Sequence, residues 1–222
     1  MKNIKIISAT RKNEKKFKNS FLYKSIFYLK KIYPNLEYEI TFNNKQGLPK
    51  IYNSYLRNNI DKKILVFVHD DVLIEDLFFE EKIINSPYDV SGLAGCKKVN
   101  LTNPPAWHLM SKKEDYLGQV SHASEINKTR WTNIYGPTQS RALILDGLLL
   151  IINNPEKLIQ NNVFFDEDFN FHHYDLSFCL NCNKSFIKLG VIPLNVVHYG
   201  LGDSMNSVEW IKSSQIFKQK YC

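Results

Sequence analysis

The sequence predicts an α/β fold, a mainly parallel sheet flanked by helices, in a single domain spanning residues 1–222. Three observations carry that prediction. Short apolar segments rich in β-branched residues alternate with stretches of helical spacing, and such alternation calls for crossover connections between parallel strands. The run Ile64-Leu65-Val66-Phe67-Val68 is apolar without interruption, as in a strand covered on both faces. A chain of 222 residues, 44% hydrophobic and 23% charged, has the size and composition of one packed unit, with no internal repeat or Pro/Gly/Ser linker to divide it.

The elements follow in order. Ile4 to Ala9 reads as the first strand. Residues 14–33 read as one helix: Phe17, Phe21, Leu22, Ser25, Ile26, Leu29 and Ile32 share a side, while Lys15, Lys16, Lys18, Lys24, Lys30 and Lys31 lie mostly off it. Pro34-Asn35 ends that helix. Residues 36–42 alternate as a strand, 43–47 carry turn chemistry, and 48–59 form a helix. The Ile64 to Val68 strand stops at His69-Asp70-Asp71. Short strands are expected at 89–94 and within 142–152. Residues 97–140 show little periodicity and hold Trp107 and Trp131, so they are expected as a lid or acceptor-binding loop. Residues 163–193 give a loop, a helix and a strand ahead of His198, and the remainder closes as a helix.

Charge and composition narrow the function classes without choosing one. Lys and Arg outnumber Asp and Glu by 29 to 22, a formal charge of +7 that favours anionic partners. The basic residues are spread along the chain and no nucleic-acid-binding motif is present, so nucleic acid is not expected as a partner. Their densest run, on the helix at 14–33, suits contact with an anionic membrane surface. No apolar run reaches the roughly 18–20 residues of a membrane span, and the lysine-broken first strand does not suit a signal peptide. The expectation is a cytoplasmic protein, in peripheral contact with the inner face of the cell membrane at most. Cys96, Cys179, Cys182 and Cys222 are too few for a disulfide scaffold. Cys179 and Cys182 lack a second pair to complete a zinc site and read as two half-buried thiols on a helix.

Three segments carry chemistry. In His69-Asp70-Asp71, adjacent carboxylates sit where a buried strand runs out, the place where open α/β sheets bind ligands. Two neighbouring carboxylates call for a cation, and Mg²⁺ or Mn²⁺ would suit them; a solvated turn capping the next helix fits equally well. In Phe171-His172-His173-Tyr174-Asp175-Leu176, Asp175 suits either a general base tuned by its neighbours or a helix cap. In Val196-Val197-His198-Tyr199-Gly200-Leu201-Gly202, His198 follows a short apolar strand, and the glycines permit close backbone approach.

Taken in order, these segments resemble a family. The series is Ser8-Ala9-Thr10-Arg11, Asn43-Asn44, Gly47-Leu48-Pro49 with Tyr52-Asn53, His69-Asp70-Asp71, Asp146-Gly147, Tyr174-Asp175-Leu176, Gly190-Val191-Ile192-Pro193 and His198. It resembles the family 2-type glycosyltransferases of GT-A fold, in particular the subgroup named for a streptomycin-biosynthesis protein, over most of the chain from Ile4 to about Gly202. The resemblance implies a divalent cation, Mn²⁺ or Mg²⁺, held by Asp71 and His198 with support from Asp70. It implies a nucleotide-sugar donor, with UDP favoured, lined by Thr10, Arg11, Asn43, Asn53, His69 and Asp70. Of the family's Glu-Asp-x-Asp-Leu motif, Tyr174 stands at the Glu, Asp175 at the catalytic Asp and Ser177 at the second Asp. Asp175 is thus the implied base. Asp146, Gly147, Trp107, His108 and Tyr174 are implied to face the acceptor, a glycan or lipid-linked oligosaccharide. The implied reaction is metal-dependent, inverting sugar transfer in bacterial surface-glycan synthesis. A non-catalytic sugar-nucleotide binder and a basic nucleic-acid or anionic-lipid binding module stand as alternatives.

Overall fold

The computed structural model describes residues 3–124, 126–200, 205 and 207–222. It opens with β1 (Ile4–Ala9), α1 (Glu14–Phe17) and α2 (Phe21–Ile32), so the single helix expected at 14–33 is two. The break has a local cause. Ser20 takes an extended conformation and its side chain accepts from the Tyr23 N–H, a capping arrangement that starts a new helix, just as Asn13 caps α1 through the Lys16 N–H. Leu22, Ser25, Ile26 and Leu29 form the buried stripe of α2, whereas Ile32, expected on that side, is exposed.

Next come β2 (Glu37–Thr41), α3 (Leu48–Arg57), β3 (Ile64–Val68), β4 (Val72–Ile74), α4 (Phe79–Ile84), β5 (Val90–Gly92) and β6 (Ala94–Cys96). Every residue of β3 is buried, as its uninterrupted apolar run predicts. Because a strand rather than a helix follows Asp71, the acidic turn caps nothing.

The segment 97–140, expected as a loop, contains α5 (Trp107–Met110), a 3-10 turn at Lys113–Asp115, and the hairpin of β7 (Tyr116–Ser124) and β8 (Thr129–Ile134). β8 is exposed along its whole length, which explains why no apolar alternation marked it. The remaining elements are β9 (Ser140–Ala142), β10 (Ile144–Leu145), β11 (Leu149–Ile152), α6 (Pro155–Gln160), α7 (Tyr174–Lys184), β12 (Leu189–Val191), β13 (Val196–His198) and α8 (Val208–Tyr221).

The strands form two sheets. The first has the order β2-β1-β3-β11-β5-β12-β9 and the second β10-β6-β7-β13-β4, with β8 beside β7. β1 runs parallel to β2 and β3, and β12 parallel to β5, while β11 is antiparallel to both β3 and β5 and β9 is antiparallel to β12. The α/β class with helix-flanked sheets is as expected, but the sheets are mixed, not mainly parallel: among the described strands β1–β2, β1–β3, β5–β12 and β7–β13 pair parallel and the other pairs are antiparallel, because short connections between the two sheets replace helical crossovers. Several short connections carry the chain between the sheets, among them β3 to β4, β5 to β6, β9 to β10, β10 to β11 and β12 to β13. Ile6, Ile7, Val66, Phe67, Leu150 and Ile151 fill the core of the first sheet. Cys179 and Cys182 are fully buried in α7, not half-buried, and burial pushes both thiols well up, so they are packing groups rather than nucleophiles. Among the described residues no helix is long and apolar enough to cross a membrane.

Candidate functional site

Two of the crossings between sheets lie side by side. His69-Asp70-Asp71 leads from β3 to β4, and Asp146-Gly147-Leu148 leads from β10 to β11. β11 pairs antiparallel with β3, Leu149 against Val68, so the residues just before β11 meet those just after β3. The His69 N–H donates to the Leu148 carbonyl at 3.2 Å. β13 then pairs antiparallel with β4, His198 opposite Val72, which sets the His198 ring beside Asp71 with Nε2 3.4 Å from Oδ2. α7 contributes Tyr174 and Asp175 from its first turn.

Burial raises the Asp71 carboxyl, but the hydrogen bond and charge of His198, with the charge of His69, outweigh it and leave Asp71 below the usual carboxylate range. Among the described residues, no three His, Cys, Asp or Glu side chains converge as a ready-made cation cage. The Asp71–His198 pair nonetheless fits one side of a cation's shell. Asp71 Oδ1 is buried and has no hydrogen-bond partner among the described residues. Residue 200 packs against the pair as only a glycine can: a Cβ there would come within 2.6 Å of Asp71 Oδ2 and closer still to His198 Nε2. Gly202, the second glycine of that segment, and Leu201 lie outside the described residues.

Asp70, also expected as a metal ligand, is engaged otherwise. Its Oδ2 accepts from Lys12 Nζ at 2.6 Å and from Thr10 Oγ1. It therefore ties the end of β3 to the loop after β1. That loop is stitched to the end of β2 in turn, since the Asn43 N–H donates to the Lys12 carbonyl and the Asn44 N–H to the Thr10 carbonyl. Thr10 and Asn43 thus share one rim with Asp70, Asn43 in the left-handed conformation that asparagine tolerates, while Arg11 is exposed beside them. Asn53 is not on this rim. It is buried in α3, with both amide protons committed to the Phe165 carbonyl and Glu167 Oε1, and its oxygen accepts from the Phe165 N–H. Its place is that of a clamp on the segment ahead of α7, in contrast to the donor-lining role expected of it.

On the far side of His69, Tyr174 bridges the two crossings. Its hydroxyl donates to the Gly147 carbonyl at 2.7 Å and lies 3.4 Å from His69 Nε2. Asp175 does not cap α7; His173 occupies the cap position in a left-handed conformation. Instead Asp175 Oδ2 accepts from the Gly147 N–H at 2.9 Å. Burial, reinforced by the charge of Asp146, pushes Asp175 up to about 7. Gly147 is needed for this contact, because a Cβ there would lie 2.6 Å from the Tyr174 hydroxyl and 3.0 Å from Asp175 Cβ. Ser177, at the position of the second motif Asp, donates to the Tyr174 carbonyl within the helix. Asp146 accepts from Trp107 Nε1 at 2.8 Å and from the Leu148 N–H. Trp107 is buried among Tyr116 and Tyr135, and His108 is exposed next to it.

Two residues enter the site that sequence reasoning missed. Lys12 neutralises Asp70 across 58 positions of sequence. His122 lies opposite His198 where β7 pairs with β13, with ring centroids 5.5 Å apart, and it stacks on its cross-strand neighbour Trp131. Its Nε2 is buried without a hydrogen-bond partner among the described residues. Nothing local marks either residue, since strand pairing alone places them.

None of the curated proteins compared matches the chain. Among solved structures, the A197 protein from STIV superposes with a TM-score of 0.50 at 15% identity, over 89% of this chain and 86% of that one. HddC from Yersinia pseudotuberculosis covers 98% of this chain and 100% of its own at 12% identity, with a TM-score of 0.40. The first of these likenesses speaks to the fold alone. The model of the glycosyltransferase-like family matches residues 9–221, nearly the whole sequence. The chain belongs to the glycosyltransferase-like family.

Proposed function

We propose that the protein is a metal-dependent, inverting glycosyltransferase that moves a sugar from a nucleotide-sugar donor to a hydroxyl of a glycan or lipid-linked acceptor. One observation supports this reading above the others. Two carboxylates with opposite tuning flank the same pair of strand ends: Asp71 is held ionised beside His198, and Asp175 is pushed up to about 7. Carboxylates whose environments drive them apart in this way mark a division of roles.

In this reading Asp71 and His198 hold Mn²⁺ or Mg²⁺. Bound there, the ion supplies charge neutralisation for the departing diphosphate. Asp70, kept in place by Lys12 and Thr10, shapes the donor rim with Asn43 and Arg11. UDP is the nucleotide that the resemblance favours. Asp175, oriented by the Gly147 N–H, takes the proton of the acceptor hydroxyl as that oxygen attacks the anomeric carbon. Asp146, His108 and the His122–Trp131 stack line the acceptor side, with Trp107 holding Asp146. The subgroup suggested by the motif order remains part of this proposal and rests on that order alone.

A thermal-shift panel of nucleotide sugars with and without Mn²⁺, paired with donor-turnover assays, tests the reading. A donor at about 100 times its Kd adds about 2.7 kcal/mol, or roughly 5–10 °C in a chain of this size. Asp71→Ala and Gly200→Ala should abolish the Mn²⁺-dependent shift. Asp175→Asn should keep it while lowering turnover by about 10²–10⁴-fold. A full shift in Asp71→Ala would reject the metal assignment; binding without turnover in the unaltered protein would make it a sugar-nucleotide binder.

A further inference from the structure

The outward face of α2 carries a feature that the carboxylate site does not use. Between this helix and residues 73–77 runs an open groove of about 620 Å³, walled by Phe27, Tyr28, Leu29, Ile32, Leu73 and Leu77. Phe27 is 55% exposed, Tyr28 64%, Leu77 61% and Phe78 63%. Single exposed apolar side chains are ordinary, but a contiguous patch of large ones marks a contact surface.

The charges around the patch say what it contacts. Lys24 Nζ sits 4.7 Å from the Phe21 ring centroid, and Lys31 Nζ sits 4.4 Å from that of Phe27 and 5.7 Å from that of Tyr28. Lys18 lines the groove, in a weak pair with Glu14 at 3.4 Å. The nearby acids are turned to other partners. Asp76 is buried and bonded to Lys82 and the Phe78 and Asn195 N–H groups, Glu75 pairs with Arg130, and Glu81 accepts from the Tyr33 hydroxyl. Burial and the charge of Glu81 push the Glu80 carboxyl up. What faces outward is therefore aromatic and cationic, the pairing that suits the boundary between lipid headgroups and acyl chains.

We propose that this face of α2, with the adjoining residues 77 and 78, docks the protein on an anionic lipid bilayer. Phe27, Tyr28, Leu77 and Phe78 enter the headgroup–acyl boundary, and Lys24 and Lys31 meet lipid phosphates. The same helix begins against the carboxylate site: the Leu22 N–H approaches the Asp70 carbonyl at 3.4 Å, and Phe21 stacks on Tyr199 beside His198. Docking in this orientation holds the site close to the membrane plane. The proposal does not depend on the catalytic reading, and its readout is separate.

The test is co-sedimentation of the full chain with phosphatidylcholine vesicles, with and without phosphatidylglycerol. The protein should sediment with the anionic vesicles at least tenfold more tightly than with the neutral ones, and less so as salt rises. Phe27→Ser with Tyr28→Ser, and separately Lys24→Glu with Lys31→Glu, should each weaken that binding at least tenfold. Both double variants alter exposed side chains and should keep the melting temperature and the donor-induced thermal shift. Absence of vesicle binding in the unaltered chain would overturn the proposal, as would variants that bind like it. So would a concentration-dependent dimer, dissociated by the same substitutions, in place of vesicle binding.

Discussion

In the proposed mechanism, Asp175 is the residue at which folding and catalysis pull in opposite directions. Its carboxyl is pushed up to about 7 by burial and by Asp146, whereas in the unfolded chain it ionises near 3.8. Between those values the folded chain holds a proton that the unfolded chain has lost, so the residue favours the fold at acid pH and that contribution fades as pH rises toward 7. Activity runs the other way, because a base must be ionised. Turnover should rise with pH through about 7, and Asp146→Asn, by removing the charge that raises Asp175, should move this limb to lower pH. Asp175→Asn should melt increasingly above the unaltered protein as pH goes from 4 to 7, by about 1–3 kcal/mol at the plateau after allowance for partial exposure. A pH–rate profile that Asp146→Asn leaves in place would remove Asp175 as the titrating base. The places of Asp71, Asp175 and His198 at element ends were legible in sequence because each follows or opens an element with a strong local pattern. Lys12 and His122 were not, since their partners lie on strands distant in sequence, and Asn53 was misplaced because its neighbours at 165–167 come from another such segment.

At the scale of elements, one titratable contact ties the start of α7 to α8. His173 takes φ 62° at the start of α7 and is buried, with Nδ1 2.7 Å from Ser213 Oγ on α8 and its ring against Trp210 and Phe217. Burial, then the neighbouring His172, lowers it to about 4, with the Pro105 carbonyl opposing. Between about 6.5 and 4 the unfolded chain takes up a proton that the folded chain does not, so stability falls as pH falls through this window. The loss should approach about 3 kcal/mol near pH 4. His173→Asn, which tolerates the left-handed backbone, should flatten that part of the stability curve. Thermal melts of both proteins from pH 7 to pH 4 decide it: parallel curves would place the acid sensitivity elsewhere. Local pattern served elements unevenly. β3 and the buried stripe of α2 were legible because burial writes periodicity into sequence, but β8 has no buried face and so left no alternation to read.

For the whole molecule, the decisive arrangement is that the site hangs on the ends of strands whose middles form the core. β11 pairs with both β3 and β5, and Ile151, at its centre, is fully buried opposite Val66 and Ser91. Asp146-Gly147-Leu148 lies before the first residue of the same strand, against His69. Removing side-chain volume at Ile151 therefore weakens both halves of the first sheet at once without touching a group that meets substrate. Ile151→Ala should cost about 2–5 kcal/mol, through lost burial and the cavity left behind. In a chain of this length that is a fall of roughly 5–15 °C in Tm. Well below the melting point, the donor-induced shift and kcat should be unchanged, because backbone pairing still sets Leu149 against Val68 and so fixes the two crossings. Denaturant unfolding should show a lower midpoint with an unaltered slope, the mark of lost stability rather than a changed unfolded state. A variant that keeps its midpoint but loses donor binding would show that the crossings are held by local strain at the site, not by the register of the central strands.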